Sequence, residues 1–254
     1  MNRREFSRDW KVEEQQPFTG WDFSYLDGRM VEEHPPWSYP ARARVLLRQS
    51  TAVLDMGTGG GERLLELRDD WPEKVVVTED YTPNVKLAGE RLGPLGVTVI
   101  RVALTRVGLM PFESGEFDLV LNRHSGLNCA EVARILAPGG TFLTQQVHGL
   151  WAQDLLAEFD AAPPWPDATL EYYLPRLEAA GLSIETAEEW LGRLTFHDVG
   201  AVVYYLKAVP WLVPAFSVET HTDNLMRLNE RLQREGELVF QARKLLIEAR
   251  KANC

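Results

Sequence analysis

The chain has 254 residues, 45% of them apolar and 25% charged, with a formal net charge of −10. That size and balance suit one globular domain with a full core, or one domain with an appended lid. The negative total disfavours nucleic acid and anionic membranes, which need clustered Lys and Arg, and two distant cysteines, Cys129 and Cys254, exclude a disulfide framework or a zinc site.

The first residues, Met1 to Phe6, have no apolar stretch of the kind a secretion signal carries, and no run approaches a membrane span, so a cytoplasmic location is expected. Residues 1–16 are charged and aperiodic, a frayed end or a short amphipathic lead. Residues 17–40 set Phe18, Trp21, Phe23, Tyr25, Trp37 and Tyr39 among prolines and glycines. This reads as an ordered loop whose prolines limit the backbone and whose rings give it something to bury. A helix is predicted over 41–49 and a strand over 51–55, followed by the run Asp55-Met56-Gly57-Thr58-Gly59-Gly60-Gly61-Glu62 and a helix over about 61–70. Lys74–Glu79 reads as a second buried strand. Thr82-Pro83-Asn84 supplies a cap and a first-turn proline for the next helix, which stops near Gly93-Pro94. Strands follow at 97–102, 117–121 and 141–147, with a helix at 129–136.

After residue 148 the alternation breaks down. Helices are predicted at 151–159 and at 170–180, the second broken or kinked at Pro175, and a sixth strand at 182–188. An insertion over about 190–235 carries two helices, and a last, antiparallel strand is expected at 238–249. Strands alternating with helices predict a doubly wound, Rossmann-like parallel sheet of about seven strands. Its expected parts are an N-terminal aromatic segment (1–40), a nucleotide-binding domain (41–190), a helical lid (191–235) and the last strand (236–254).

The strand–turn–helix around Asp55 is the feature on which a function can be built. Its glycines let the backbone take φ > 0 and approach a ligand, and the following helix aims free N–H groups at the same place. A glycine-rich connection without a ligand is the alternative. A dinucleotide fingerprint requires Gly-x-Gly-x-x-Gly or Ala, but Glu62 stands where the small third residue belongs, which argues against a nicotinamide enzyme. The second strand ends in Glu79, 24 residues after Asp55, where a carboxylate can accept both hydroxyls of a ribose.

The acid-x-Gly-x-Gly-x-Gly run, Glu79, Leu109-Met110-Pro111-Phe112, Glu116–Leu121 and Leu136–Phe142 occur in an order and spacing that resembles class I S-adenosylmethionine-dependent methyltransferases. The likeness is to the small-molecule branch related to ubiquinone and sterol methyltransferases, and it covers residues 51–147. It implies that S-adenosylmethionine is bound, with S-adenosylhomocysteine as product, by Asp55, Gly57, Thr58, Gly59, Gly61, Glu79, Asp80, Asn122 and Arg123. The chain departs from the family where an acid commonly follows the third strand and holds adenine; residues 103–108 contain none, leaving backbone groups or stacking on Tyr81 or Leu104.

His124 is the first choice as a general base, since an imidazole past the fourth strand suits proton removal at neutral pH. A structural histidine is the alternative. His148, and His197 beside Asp198, are further choices, the latter pair also readable as a helix cap. The acceptor is expected to be a small aromatic or apolar molecule, met by Trp21, Phe23, Trp37, Tyr39, His148, His197 and Trp211. The chain is expected as monomer or homodimer, with no metal. Other readings are a methyltransferase acting on RNA or protein, and a non-catalytic scaffold that binds the cofactor.

Overall fold

The computed structural model describes residues 3–18, 21–102 and 108–253. Its strands are β1 (Met30–Glu32), β2 (Ala52–Met56), β3 (Lys74–Glu79), β4 (Thr98–Arg101), β5 (Phe117–Arg123), β6 (Leu136–Val147), β7 (Leu182–Phe196) and β8 (Leu238–Lys251). The helices are α1 (Arg3–Glu14), α2 (Tyr39–Leu47), α3 (Glu62–Leu65), α4 (Thr82–Leu92), α5 (Cys129–Ile135), α6 (Gln153–Ala157), α7 (Leu170–Ala179), α8 (Val199–Ala208) and α9 (Thr222–Glu235). The described strands form a mixed sheet in the order β1-β7-β8-β6-β5-β2-β3-β4. Strands β4, β3, β2, β5 and β6 are parallel, and β8 runs antiparallel to β6 from Thr141↔Arg250 to Val147↔Lys244.

By its contacts the chain divides into two compact units. The larger comprises Pro36–Val147, Ala168–Glu189 and Lys244–Cys254. Its strands are apolar on both faces because both are covered. Val53, Val75, Val77, Leu119, Leu121 and Leu143 form one core with Leu47 of α2 and Ala88 and Leu92 of α4. The alternate residues Leu54, Met56, Val76, Val120 and Phe142 form the other, with Val132 and Ile135 of α5 and Tyr173 and Leu177 of α7. Side chains alternating along each strand thus fill two cores with one run of sequence.

The smaller unit comprises Met1–Pro35, His148–Asp167 and Trp190–Arg243. Its centre is α8, in which all residues but Lys207 are buried. Asp198 caps α8 by accepting from the Ala201 amide at 2.7 Å, while Arg29 bridges Asp198 (2.7 Å) and Glu13 of α1 (2.9 Å). The indole of Trp151 donates to the Tyr205 hydroxyl at 3.1 Å.

Several expectations need extension or correction. The expected sheet of about seven strands is present, and among the described residues β1 adds a short eighth, at the edge, pairing Met30↔Phe196 to Glu32↔Leu194. Three residues are too few to show a period. The helix expected over 61–70 is only α3, followed by a 3-10 turn at Arg68–Asp70. Helix α7 continues through Pro175, whose missing N–H removes the helical hydrogen bond to the Glu171 carbonyl. The charged lead is helical as α1.

Candidate functional site at the carboxyl edge of the central strands

In the sheet order, β2 has β5 on one side and β3 on the other, and the chain direction of the winding reverses there. The carboxyl ends of such strands border the crevice in which open α/β sheets bind ligands. Four expected residues arrive at this edge through register alone: Asp55 opposite Leu121, Asn122 opposite Met56, then Arg123 and Glu79 at the ends of β5 and β3.

The glycine turn leaves β2 with Gly57 at φ 68° and Gly59 at φ 64°, backbone that side-chain-bearing residues rarely adopt. The other two glycines serve packing. A Cβ on Gly60 would strike the side chains of Glu62 and Leu87, and one on Gly61 would lie 2.8 Å from a methyl of Leu92. Gly61, at φ 85°, serves the turn as well, so three of the four glycines shape the backbone while Gly60 and Gly61 let α4 come close. The turn is fastened by the Thr58 amide donating to the Thr78 carbonyl at 3.0 Å and the Gly61 amide to the Thr58 carbonyl at 3.1 Å.

Glu79 is buried and holds the turn from below. Its Oε2 accepts from the Gly59 amide at 2.7 Å, and its Oε1 accepts from the Asp80 and Tyr81 amides, both at 2.9 Å. A carboxylate oxygen has two lone pairs, so one acceptor position remains, on Oε2. Glu79 has room for one ribose hydroxyl as it stands; a second must displace a backbone donor.

Asp55 keeps an edge to solvent, yet the surrounding protein strips enough hydration to push its carboxyl up to about 6, against a hydrogen bond from the Thr58 side chain and the pull of the Arg123 charge. Tyr39, at the start of α2, is buried, and burial followed by the Asp55 charge raises its phenol well above the ordinary range. The side-chain hydroxyl of Thr78 is buried with no hydrogen-bond partner among the described residues. An orphaned hydroxyl of this kind is rare in finished interiors. With the left-handed glycines, a carboxylate and one open acceptor on Glu79, this donor and acceptor set fits a nucleoside bearing a cationic amino acid.

Asn122 is fully buried, and its amide is spent internally: it donates to the Gly126 carbonyl at 3.1 Å and accepts from Gln146 at 2.6 Å. Only its main chain is left for a ligand. Asp80 and Tyr81 are exposed, the latter by 64%, which leaves its ring free to stack on a flat ligand. Leu104 and the stretch without an acid, 103–107, lie outside the described residues.

His124 follows β5 in the left-handed region, at φ 60°. Its amide donates to the Gln145 carbonyl at 2.8 Å, and its Nε2 lies 3.0 Å from the amide nitrogen of Gln145, whose oxygen accepts from the Trp37 indole at 2.8 Å. Desolvation, then the charges of Arg123 and Lys244, hold the imidazole well below its ordinary value. Nothing in the sequence flags Gln145 as its partner.

The expected substrate residues divide between the units. Trp37 and Tyr39 belong to the larger, and Trp21, Phe23, His148, His197 and Trp211 to the smaller. In the smaller unit Trp21 meets Trp211 at 5.7 Å between ring centres and Phe23 at 6.4 Å, and Trp165 joins Trp211 at 6.1 Å. His148 is buried, and its Nδ1 accepts from the Leu150 amide at 3.0 Å. His197 is exposed; the carboxylate of Asp198 is turned to Arg29 and the helix cap.

The fold and this edge define a Rossmann-like nucleotide-binding domain of the methyltransferase kind. Residues 54–144 match the family described as a methyltransferase domain. Over 112 residues the chain is 30% identical to a demethylmenaquinone methyltransferase of Deinococcus radiodurans, covering 41% of this chain and 46% of that one. The chain spans about half the length of the curated relatives it matches, 46% and 50%. Among solved structures, the YcgJ protein of Bacillus subtilis has a TM-score of 0.61 at 17% identity, over 85% of this chain and 98% of that one. Geranyl diphosphate methyltransferase, solved in complex with S-adenosylmethionine, has a TM-score of 0.51 at 18% identity, over 84% and 85% of the two chains. Residues 54–144 thus carry a methyltransferase domain, and the structural likenesses speak to its fold.

Proposed function

We propose that the chain binds S-adenosylmethionine at the carboxyl edge of β2, β3 and β5 and catalyses methyl transfer to a small, apolar, ring-bearing acceptor. The convergence of Asp55, the left-handed Gly57 and Gly59, and Glu79 on one strand switch carries this reading. The bound cofactor supplies an electrophilic methyl group on a sulfonium, so the protein's task is alignment and exclusion of water. Asp55 meets the ammonium of the methionine part, the turn's amides face its carboxylate, and Glu79 takes a ribose hydroxyl on its open Oε2 position. Tyr81 offers adenine a stacking face. Asp80 and Arg123 frame the mouth of the same edge.

The curated relatives are named for demethylmenaquinone. A quinol-type ring is therefore the acceptor to try first, and the net charge of −10 disfavours RNA. Trp37 and Tyr39 of the larger unit are the aromatic residues to test first against such a ring; Trp21, Phe23, Trp211, His148 and His197 of the smaller unit are tested separately by substitution. Titration calorimetry with S-adenosylhomocysteine, run beside NAD, tests the cofactor. Binding of the first alone is expected. Binding of neither would overturn the cofactor reading, binding without methyl transfer to any acceptor would favour the scaffold, and label transferred from S-adenosylmethionine into RNA or protein, but not into a quinol, would move the acceptor.

A further inference from the structure

We infer that Trp37 and Gln145 lock the imidazole of His124 in its Nδ1–H form, so that His124 presents a hydrogen-bond donor, not a base, to an oxygen atom of the molecule bound at the carboxyl edge. The lock rests on donor and acceptor chemistry. An indole N–H can only donate. At 2.8 Å from the Gln145 side chain it must therefore face the amide oxygen, which turns the amide NH₂ the other way. That NH₂, also donor-only, lies 3.0 Å from Nε2 of His124, so Nε2 must offer its lone pair. A neutral imidazole with a bare Nε2 carries its proton on Nδ1.

The surroundings agree. A doubly protonated ring would press an N–H against an NH₂, and Arg123 and Lys244, the charged groups felt at this site, both oppose a further positive charge. Gln145 is only 5% exposed and cannot rotate freely to offer its oxygen instead. The His124 main chain is held as well, by its amide bond to Gln145 at 2.8 Å and its left-handed φ of 60°. His124 as a residue keeps exposed surface, and among the described residues its Nδ1 makes no hydrogen bond. Strain at a polar residue beside a ligand edge is a common sign of a held functional group. Because the Nε2 lone pair is engaged by Gln145, proton abstraction by His124 would first have to break that bond. Trp37 and Gln145 are positioning residues here. The assigned ligand role rests on the proposed methyl-transfer site; the tautomer does not.

The test is nitrogen NMR on protein labelled with ¹⁵N-histidine, with His124 assigned from the His124→Asn variant. Wild type is expected to show a protonated Nδ1 and a bare Nε2, unchanged between about pH 6 and 8. Gln145→Glu places an acceptor opposite Nε2, so the proton should move to Nε2 and the ring should titrate higher. Trp37→Phe, the milder change, frees the amide to flip and should give a mixture of both forms. A protonated Nε2 in wild type, or a tautomer indifferent to both substitutions, overturns the proposal. The donor role is read separately in His124→Ala. Loss of S-adenosylhomocysteine affinity by about tenfold assigns the bond to the cofactor carboxylate, and a rise in acceptor KM of that size assigns it to the acceptor. His124→Asn, which keeps an N–H donor, should recover part of either loss; no loss in His124→Ala overturns the donor role. Failure of wild type to bind S-adenosylhomocysteine would refute the methyl-transfer reading and leave the NMR result to decide the tautomer.

Discussion

Asp55 carries a conflict between stability and binding within one side chain. Its carboxyl, pushed up to about 6 against an ordinary 3.8, binds its proton more tightly in the folded chain than in the unfolded one. The stabilising contribution is therefore complete below about 3.8 and is lost as pH rises through 6. At pH 7 the ionised group costs on the order of 2 kcal/mol, allowing for its solvent edge. Asp55→Asn should raise unfolding free energy at pH 7 by that order, a gain that shrinks at pH 5, in urea titrations at both values. The same variant should bind S-adenosylhomocysteine at least about tenfold more weakly, because a cationic amino group favours the ionised carboxylate. For wild type, that affinity should rise with pH through about 6, where Asp55 sheds its proton, and the slope should vanish in the variant. The identity of Asp55 is legible in the sequence. Its raised proton affinity is not, since that comes from burial by the protein packed around it.

At the scale of elements, the glycine turn and α4 act as one piece. Gly61 stands at φ 85° with a Leu92 methyl 2.8 Å from where a Cβ would be, whereas Gly96 has φ 87° and open space. Gly96→Ala should cost about 1–2 kcal/mol of backbone strain. Gly61→Ala adds overpacking and should cost about 2–4 kcal/mol in denaturant titration. Equal losses would mean that Leu92 gives way freely. The run of glycines announces a tight turn, but only the packing of α4 tells which glycines serve the backbone and which serve the neighbouring helix. Strand β1 belongs to the same class: it depends on a partner, Phe196 on β7, that local propensity does not see.

For the whole molecule, binding that favours the native state should appear as stability. S-Adenosylhomocysteine at 100 times its Kd should add about 2.7 kcal/mol and raise Tm accordingly, while NAD at the same concentration should leave it unchanged. Thermal melts with each ligand decide this. No helix among the described residues is long and apolar enough to cross a membrane. What the sequence by itself determined is the doubly wound order, the strand–glycine–helix at Asp55 and the acid closing β3, because period, turn chemistry and spacing are local. Which lone pairs remain on Glu79, that Asn122 is spent inward, and that Gln145 and Trp37 govern His124 were decided only by tertiary structure. The long bonds among these, Gly59 to Glu79, His124 to Gln145, Gln146 to Asn122 and Trp37 to Gln145, join residues 20 to 108 positions apart, and no local pattern encodes which donor will meet which acceptor once the chain has closed.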